Sequence, residues 1–142
     1  MSKPEKVKLH IRSSVKNDGG EDEAISFVTG GELAFEEDGS VIISYDELTE
    51  SGAAHCRIIL TADKVTVKRH GAIESTLVFR EGRSHSSVYS LGGFAFDMTV
   101  KTKKIKNELN SRGGRLALHY GMTVGGADKE VRFSVRVEEA GC

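Results

Sequence analysis

The chain of 142 residues contains one proline, two cysteines and no tryptophan. Two cysteines are too few for a disulfide framework. Cys56 lies on an apolar strand face and is expected to be a small buried side chain, whereas Cys142, the last residue, is expected to be exposed. The charged N-terminus has no apolar stretch behind it, as a secretory signal would, and no run approaches the roughly 18 apolar residues of a membrane helix. These absences predict a soluble, reduced, cytoplasmic protein.

An excess of charge of one sign is also absent. The 20 Lys and Arg residues nearly balance the 21 Asp and Glu residues, for a formal net charge of -1. Such a balance gives no long-range field, so we expect neither nucleic acid nor a membrane as partner, although a local patch is compatible with it. The densest basic run, with no aromatic residue interleaved to stack on bases, is interpreted as a solvated, edge-protecting strand, with a nucleic-acid contact as the alternative. It contains Lys101, Lys103, Lys104 and Lys106.

Glycine, in contrast, is abundant. Because glycine reaches positive φ without steric cost, Gly-Gly pairs are favourable places for the chain to reverse. Apolar and polar residues alternate between these pairs, which predicts about eleven strands in an antiparallel meander. Asp38-Gly39 predicts a two-residue hairpin, and further reversals are expected at 17–20 and 50–52. The five pairs are at positions 19–20, 30–31, 92–93, 113–114 and 125–126.

Each predicted strand has one apolar face, and closing the sheet would remove its unpaired edges. We therefore expect a single all-β domain over residues 1–142, an antiparallel up-and-down barrel of about 8–10 strands. A β-sandwich is the alternative. Residues 1–5 and 139–142 are expected to be loose ends. In 102–110 the spacing of Ile105 and Leu109 is helical, but a bulged strand is favoured, because one extra residue would shift the alternation.

Several short segments also follow one another in a familiar order and at familiar spacings, at 43–47, 67–71, 77–82, 89–93 and 113–120. Across nearly the whole chain they resemble the YwiB-like family of small, uncharacterised bacterial proteins. The resemblance implies a calycin-like β-barrel, related in shape to lipocalins. It implies no activity, because the family carries none that is established.

The side chains that serve catalysis or metal binding are not arranged as those chemistries require. In 84–87, Ser86 and His85 are neighbours on a strand and point to opposite faces, so they cannot simply pair, and the chain has no nucleophile elbow. We expect no catalytic residue, no metal, no cofactor and no enzymatic activity. No two of the five histidines form a His-x-His pair on one strand face; they are His10, His55, His70, His85 and His119.

A set of large polar side chains does stand on otherwise apolar strand faces, several of them near strand ends. Arg69 continues the parity of Val65 and Val67, so its guanidinium is expected to point into the barrel mouth. A buried Arg needs a carboxylate partner, and Glu47 is the expected one. Two interpretations stay open: the set closes one barrel end through an ion pair and tyrosine hydrogen bonds, or it orients the polar head of a small ligand. The set is Tyr45, Glu47, Arg69, Tyr89 and Tyr120.

Two non-enzymatic functions fit this sequence. The first is a barrel that holds a small apolar or amphipathic molecule. A structure whose interior is filled by the protein's own side chains would contradict this hypothesis. The residues that would fill it are Phe27, Phe79, Phe96, Met98 and Phe133. The second is a packed barrel that acts in protein–protein interaction or homo-oligomerisation. Apolar residues expected on outward faces motivate it, such as Ile42, Ile59 and Val78.

Overall fold

The computed structural model describes residues 4–17, 22–49, 52–110 and 112–139. These residues form ten strands and no helix. The strands are β1 (Glu5–Asn17), β2 (Glu23–Phe35), β3 (Val41–Thr49), β4 (Gly52–Leu60), β5 (Val65–Gly71), β6 (Ile73–Phe79), β7 (Ser84–Leu91), β8 (Phe94–Asn107), β9 (Gly114–Val124) and β10 (Ala127–Glu139).

The sheet closes on itself. Each strand pairs with its neighbours in sequence, and β1 pairs with β10 from Val7 opposite Glu139 to Asn17 opposite Lys129. All pairs are antiparallel, so the predicted up-and-down barrel is confirmed and the sandwich alternative is wrong. We call the end where β7 turns into β8 and β9 turns into β10 the upper end, its opening the mouth, and the opposite end the lower end.

Alternate residues of each strand point into the barrel and form the core. One cross-strand row of five buried aliphatic side chains runs through Leu33, Ile43, Ile58, Val67 and Leu77. Burial of this apolar surface is the main favourable contribution to folding. Cys56 is fully buried on the same face, as predicted, whereas Cys142 lies outside the described residues.

The pair Gly30-Gly31 does not reverse the chain, and the structure corrects this expectation. Both glycines lie within β2, so the described residues form ten strands rather than the eleven expected. A Cβ at Gly31 would stand 2.6 Å from Leu9 Cδ1 and from the Ser44 carbonyl oxygen. Glycine is therefore needed there for close packing against neighbouring strands, a use that the sequence pattern does not distinguish from a turn.

The other predicted reversals have mixed outcomes. Gly92-Gly93 and Gly125-Gly126 form turns with positive φ, as predicted. Asp38-Gly39 also lies in a turn, but Glu36 N donates to Ser40 O, so the turn spans three residues rather than two. Two other reversals were expected at 17–20 and 50–52. Of these residues, 18–20 and 50–51 lie outside the described part of the chain.

The ambiguous segment 102–110 continues as strand as far as Asn107 and contains no helix. Ladder pairing of β8 with β9 shifts between Thr102 and Lys104, so the predicted β-bulge is confirmed. The strands also extend further than expected at both ends of the chain, because Glu5 and Glu139 are strand residues rather than loose ends. A bulge adds one unpaired residue to a strand and shifts the parity of everything after it.

Candidate functional site

The predicted ion pair between Arg69 and Glu47 is present in the upper half of the barrel. Arg69 Nε donates to Glu47 Oε1 across 2.7 Å. Both side chains are about four-fifths buried, with exposed fractions of 20% and 18%. β4 lies between the two strands that carry them, so the pair spans the inner face of three strands. A buried cation of this kind is stable only with a partner, which Glu47 supplies.

Arg69 belongs to a polar cross-strand row on the inner face. The ladder aligns Tyr45, Cys56, Arg69 and Ser75 on four successive strands. Tyr45 and Cys56 lie directly opposite each other on β3 and β4. Burial raises the pKa of Tyr45 and of Cys56, so both groups stay neutral at physiological pH. A neutral, buried thiol is a poor nucleophile, which leaves Cys56 as a packing residue.

Tyr89 and Tyr120 complete the predicted set on the far side of this row. Tyr89 lies on β7, and both it and Tyr120 interact electrostatically with Arg69. Burial raises the pKa of Tyr120 to about 12, and its ring packs on Phe79 with centroids 4.6 Å apart. The other four predicted residues, Tyr45, Glu47, Tyr89 and Tyr120, are thus grouped around Arg69. Their positions in the sequence do not show this grouping, because it depends on how the strands pair.

Three polar residues in the barrel interior escaped prediction. The hydroxyls of Ser75, Ser87 and Thr102 are buried, and within the described residues they have no hydrogen-bond partner. Ser75 shares the parity of Ile73 and Leu77, so the alternation along β6 could have indicated its inward position. The lack of a partner could not have been foreseen, because it depends on which strands pair. An unsatisfied buried hydroxyl costs about 1–3 kcal/mol.

The cluster lies beside a seam in the barrel wall. β6 and β7 pair only at Ile73 with Leu91 and Glu74 with Ser90. Beside these pairs the outer surface has a depression of about 500 Å³ with Arg69, Ser75 and Ser87 in its lining. The buried hydroxyls of Ser75 and Ser87 therefore lie close beneath the outer surface of the wall.

The mouth itself exposes apolar side chains of inward parity. Ile25, Phe94 and Phe96 are 62%, 71% and 42% exposed. Below them Phe79 and Met98 are buried, and Phe27 and Phe133 pack against the core while partly buried. The interior is thus filled in its lower part and lined with exposed apolar groups at its upper end.

Ile42, Ile59 and Val78 were expected to be exposed on outward faces. They do form one outward row, which also includes Thr66, but each is only partly exposed. The exposed apolar residues of outward parity lie towards the upper end instead: Val28, Leu48 and Val88. Sequence alternation indicates the face on which a residue lies but not how far its neighbours cover it.

Among the residues that the structure describes, no three His, Cys, Asp or Glu side chains are placed to hold a metal ion. No helix in the described part of the chain is long and apolar enough to cross a membrane.

Comparison with known proteins decides the family. The profile of the family described as "Domain of unknown function (DUF1934)" matches residues 9–135. The chain belongs to this family. It is similar to the "Uncharacterized beta-barrel protein YwiB" of Bacillus subtilis (strain 168), with 27% identity over 135 residues that make up 95% of this chain and 94% of that protein.

The fold is shared with the crystal structure of the ywiB protein from Bacillus subtilis. The two structures superpose with a TM-score of 0.90 at 26% identity, over 99% of this chain and 96% of that one. The YwiB-like resemblance and the closed β-barrel that it implied are confirmed.

Proposed function

We propose that this protein is a non-enzymatic, cytoplasmic binding barrel that, in the manner of lipocalins, takes a small amphipathic molecule at its mouth. The observation that carries the proposal is the pair of unpartnered, buried hydroxyls of Ser75 and Ser87 beside Arg69. Buried polar groups are nearly always satisfied, so orphaned ones beside an opening are candidates to meet a ligand.

The surroundings suggest the chemistry of the ligand. Phe94, Phe96 and Ile25 offer apolar contacts at the mouth, and removing them from water would favour binding by about 25 cal/mol per Å² buried. Arg69 is already neutralised by Glu47, so the site as a whole does not require a charged head. A ligand with an aliphatic or aromatic body and an uncharged, hydrogen-bonding head fits best. The lower half is packed, so a short ligand near the mouth is favoured over one that fills the barrel.

The test is native mass spectrometry of gently purified protein, followed by binding of the identified molecule to variants. We expect a co-purified small molecule, held more weakly by about tenfold or more when Phe94 and Phe96 are replaced by serine. Leu48→Ser, which removes an exposed apolar side chain of outward parity, is the matched control and should bind normally. The proposal would be refuted if the wild-type protein carried no co-purified molecule and also bound none of a panel of fatty alcohols.

A second candidate function is protein–protein interaction or self-association. Val28, Leu48 and Val88 are exposed by 55%, 88% and 55%, and all three have outward parity. Scattered apolar residues are normal on surfaces, but Val28 and Leu48 lie on the neighbouring strands β2 and β3 and favour a contact there, whereas Val88 lies apart on β7. The same mass spectra report the number of subunits. A monomer at all concentrations, with Leu48→Asp causing no change in any partner captured, would count against this candidate.

A further inference from the structure

The outer face of β8, β9, β10 and β1 carries a basic depression that shares no lining residue with the depression at the seam between β6 and β7. It is about 450 Å³ in volume, and within the described residues no Asp or Glu side chain lines it. The cations in its lining, besides His119, are Arg12, Lys104, Lys106, Arg115 and Arg132. The overall charge of -1 gives no hint of this concentration of positive charge.

Strand register explains why the depression exists. Strands lie about 4.8 Å apart and alternate residues about 6.5–7 Å apart, so the cations surround a patch roughly 14 Å across. The floor consists of small side chains, which leave room between the long ones. One cross-strand row contains Arg12, Ser134, Ala117 and Lys106, and the next contains Ser14, Arg132, His119 and Lys104.

The β-bulge in β8 aims the lysines at this face. In a regular strand Lys104 and Lys106 would point to the opposite side from Lys101. The extra residue restores them to the outside, where they stand opposite His119 and Ala117. Bulges often re-aim side chains in this way near functional sites.

The cations of the depression are available for a ligand. Among the described residues Arg12, Lys104, Arg115 and Arg132 are exposed and form no ion pair, and Lys106 reaches Glu108 only at 3.9 Å. Two other nearby carboxylates are already hydrogen-bonded to basic groups. Glu130 accepts hydrogen bonds from Lys103 and His119, which lower its pKa to about 2. Glu138 pairs with His10 and Arg136.

We propose that this depression binds the phosphate backbone of double-stranded nucleic acid. Three of its five cations are arginines, whose planar fork matches phosphate oxygens. Protein interfaces have apolar centres, whereas nucleic-acid interfaces are polar and positive, and none of the exposed large apolar residues lies in this depression. The two aromatic rings among the described lining residues, Phe133 and His119, are both partly buried, so the depression offers no fully exposed ring on which unpaired bases could stack. A duplex held through its phosphates, without sequence preference, is therefore the favoured occupant.

The net charge of -1 predicted no nucleic-acid partner. Net charge is a sum over the whole chain, however, and does not show where the cations are concentrated. The proposal replaces that expectation, and it is independent of ligand binding at the mouth. Replacing Phe94 by serine should leave duplex binding unchanged.

The test measures fluorescence anisotropy of a labelled DNA duplex of about 20 base pairs across roughly 50 to 200 mM salt. With five cations on phosphates, the logarithm of the binding constant should fall with that of salt at a slope of about -4 to -5. The double variant Lys104→Gln/Arg132→Gln should bind about one to two orders of magnitude more weakly at low salt, with a slope smaller by about 2.

The matched control is Arg57→Gln/Lys68→Gln, which removes two exposed cations that face each other on β4 and β5. It should bind as the wild type does. An RNA duplex of the same length should show a similar slope, since the contacts are to phosphates. Equal losses in control and variant would overturn the proposal. So would tighter binding of single strands, of tripolyphosphate, of polyglutamate or of anionic vesicles.

Discussion

At the scale of single residues, the Arg69–Glu47 pair is the feature on which the upper barrel depends. It holds two opposite charges among neutral polar side chains, and Tyr45, Tyr89 and Tyr120 stay protonated around it. Removing one member leaves the other charge buried without compensation, which costs more than the intact pair contributes.

Replacing Glu47 by glutamine should therefore lower the free energy of unfolding by about 1–3 kcal/mol, a value reduced for the remaining exposure of the pair. Urea denaturation followed by circular dichroism measures it. Asp46→Asn is the control, because Asp46 pairs with His55 on the exposed outer face and its loss should cost less than about 0.5 kcal/mol. Equal losses of unfolding free energy in the two variants would show that the Arg69–Glu47 pair contributes no more to stability than an exposed pair.

The sequence was sufficient to predict the inward position of Arg69, which follows from the period of two along β5, and its pairing with Glu47, because a buried Arg needs a carboxylate partner. It could not predict that Ser75 and Ser87 lack partners. That depends on where the pairing of β6 with β7 stops, and no local pattern in either strand marks the point.

At the scale of strands, glycine has two different uses in this chain. Gly92-Gly93 turns the chain, whereas Gly31 lets β2 pass close to Leu9 and Ser44. Both uses need a missing side chain, and only the neighbours tell them apart. The bulge in β8 was predictable, since Ile105 breaks parity with Val100 within a single strand. Its effect on Lys104 and Lys106 required the paired strand β9.

Adjacent glycines in β2 allow a sharp test of that difference. Gly31→Ala should destabilise the protein by about 1–3 kcal/mol, because the new Cβ would overlap Leu9 Cδ1 and the Ser44 carbonyl oxygen. Gly30→Ala meets nothing within 4 Å and should be neutral or stabilise by up to about 1 kcal/mol. Thermal or urea unfolding compares the two variants. If both alanines were tolerated equally, the close approach at Gly31 would not limit stability.

At the scale of the whole molecule, the barrel wall is uneven. β1 and β10 are paired along most of their length, whereas β6 and β7 are joined by two residue pairs near the upper end. Closure was predictable from the unpaired edges of a long meander, but the position of the weak junction was not. The position of the basic depression was not predictable either, because its cations come from four strands that become neighbours only in the assembled barrel.

Hydrogen exchange measured by NMR should follow this difference around the wall. In residues 75–79 of β6, every second backbone amide points towards β7 and away from β5. These amides should exchange at least about ten times faster than the amides that are hydrogen-bonded between β1 and β10. The reason is that backbone hydrogen bonds protect amides only where a ladder exists. Uniform protection around the barrel would contradict the seam.

The pairing of β1 with β10 has a practical consequence. Val7 faces Glu139, so the first strand begins and the last strand ends side by side at the lower end. A fusion partner or surface tether attached at either terminus would leave the opening with Phe94 pointing away from the attachment. Joining the termini through a short linker and cutting the chain at Gly125-Gly126 should give a circular permutant with the same barrel.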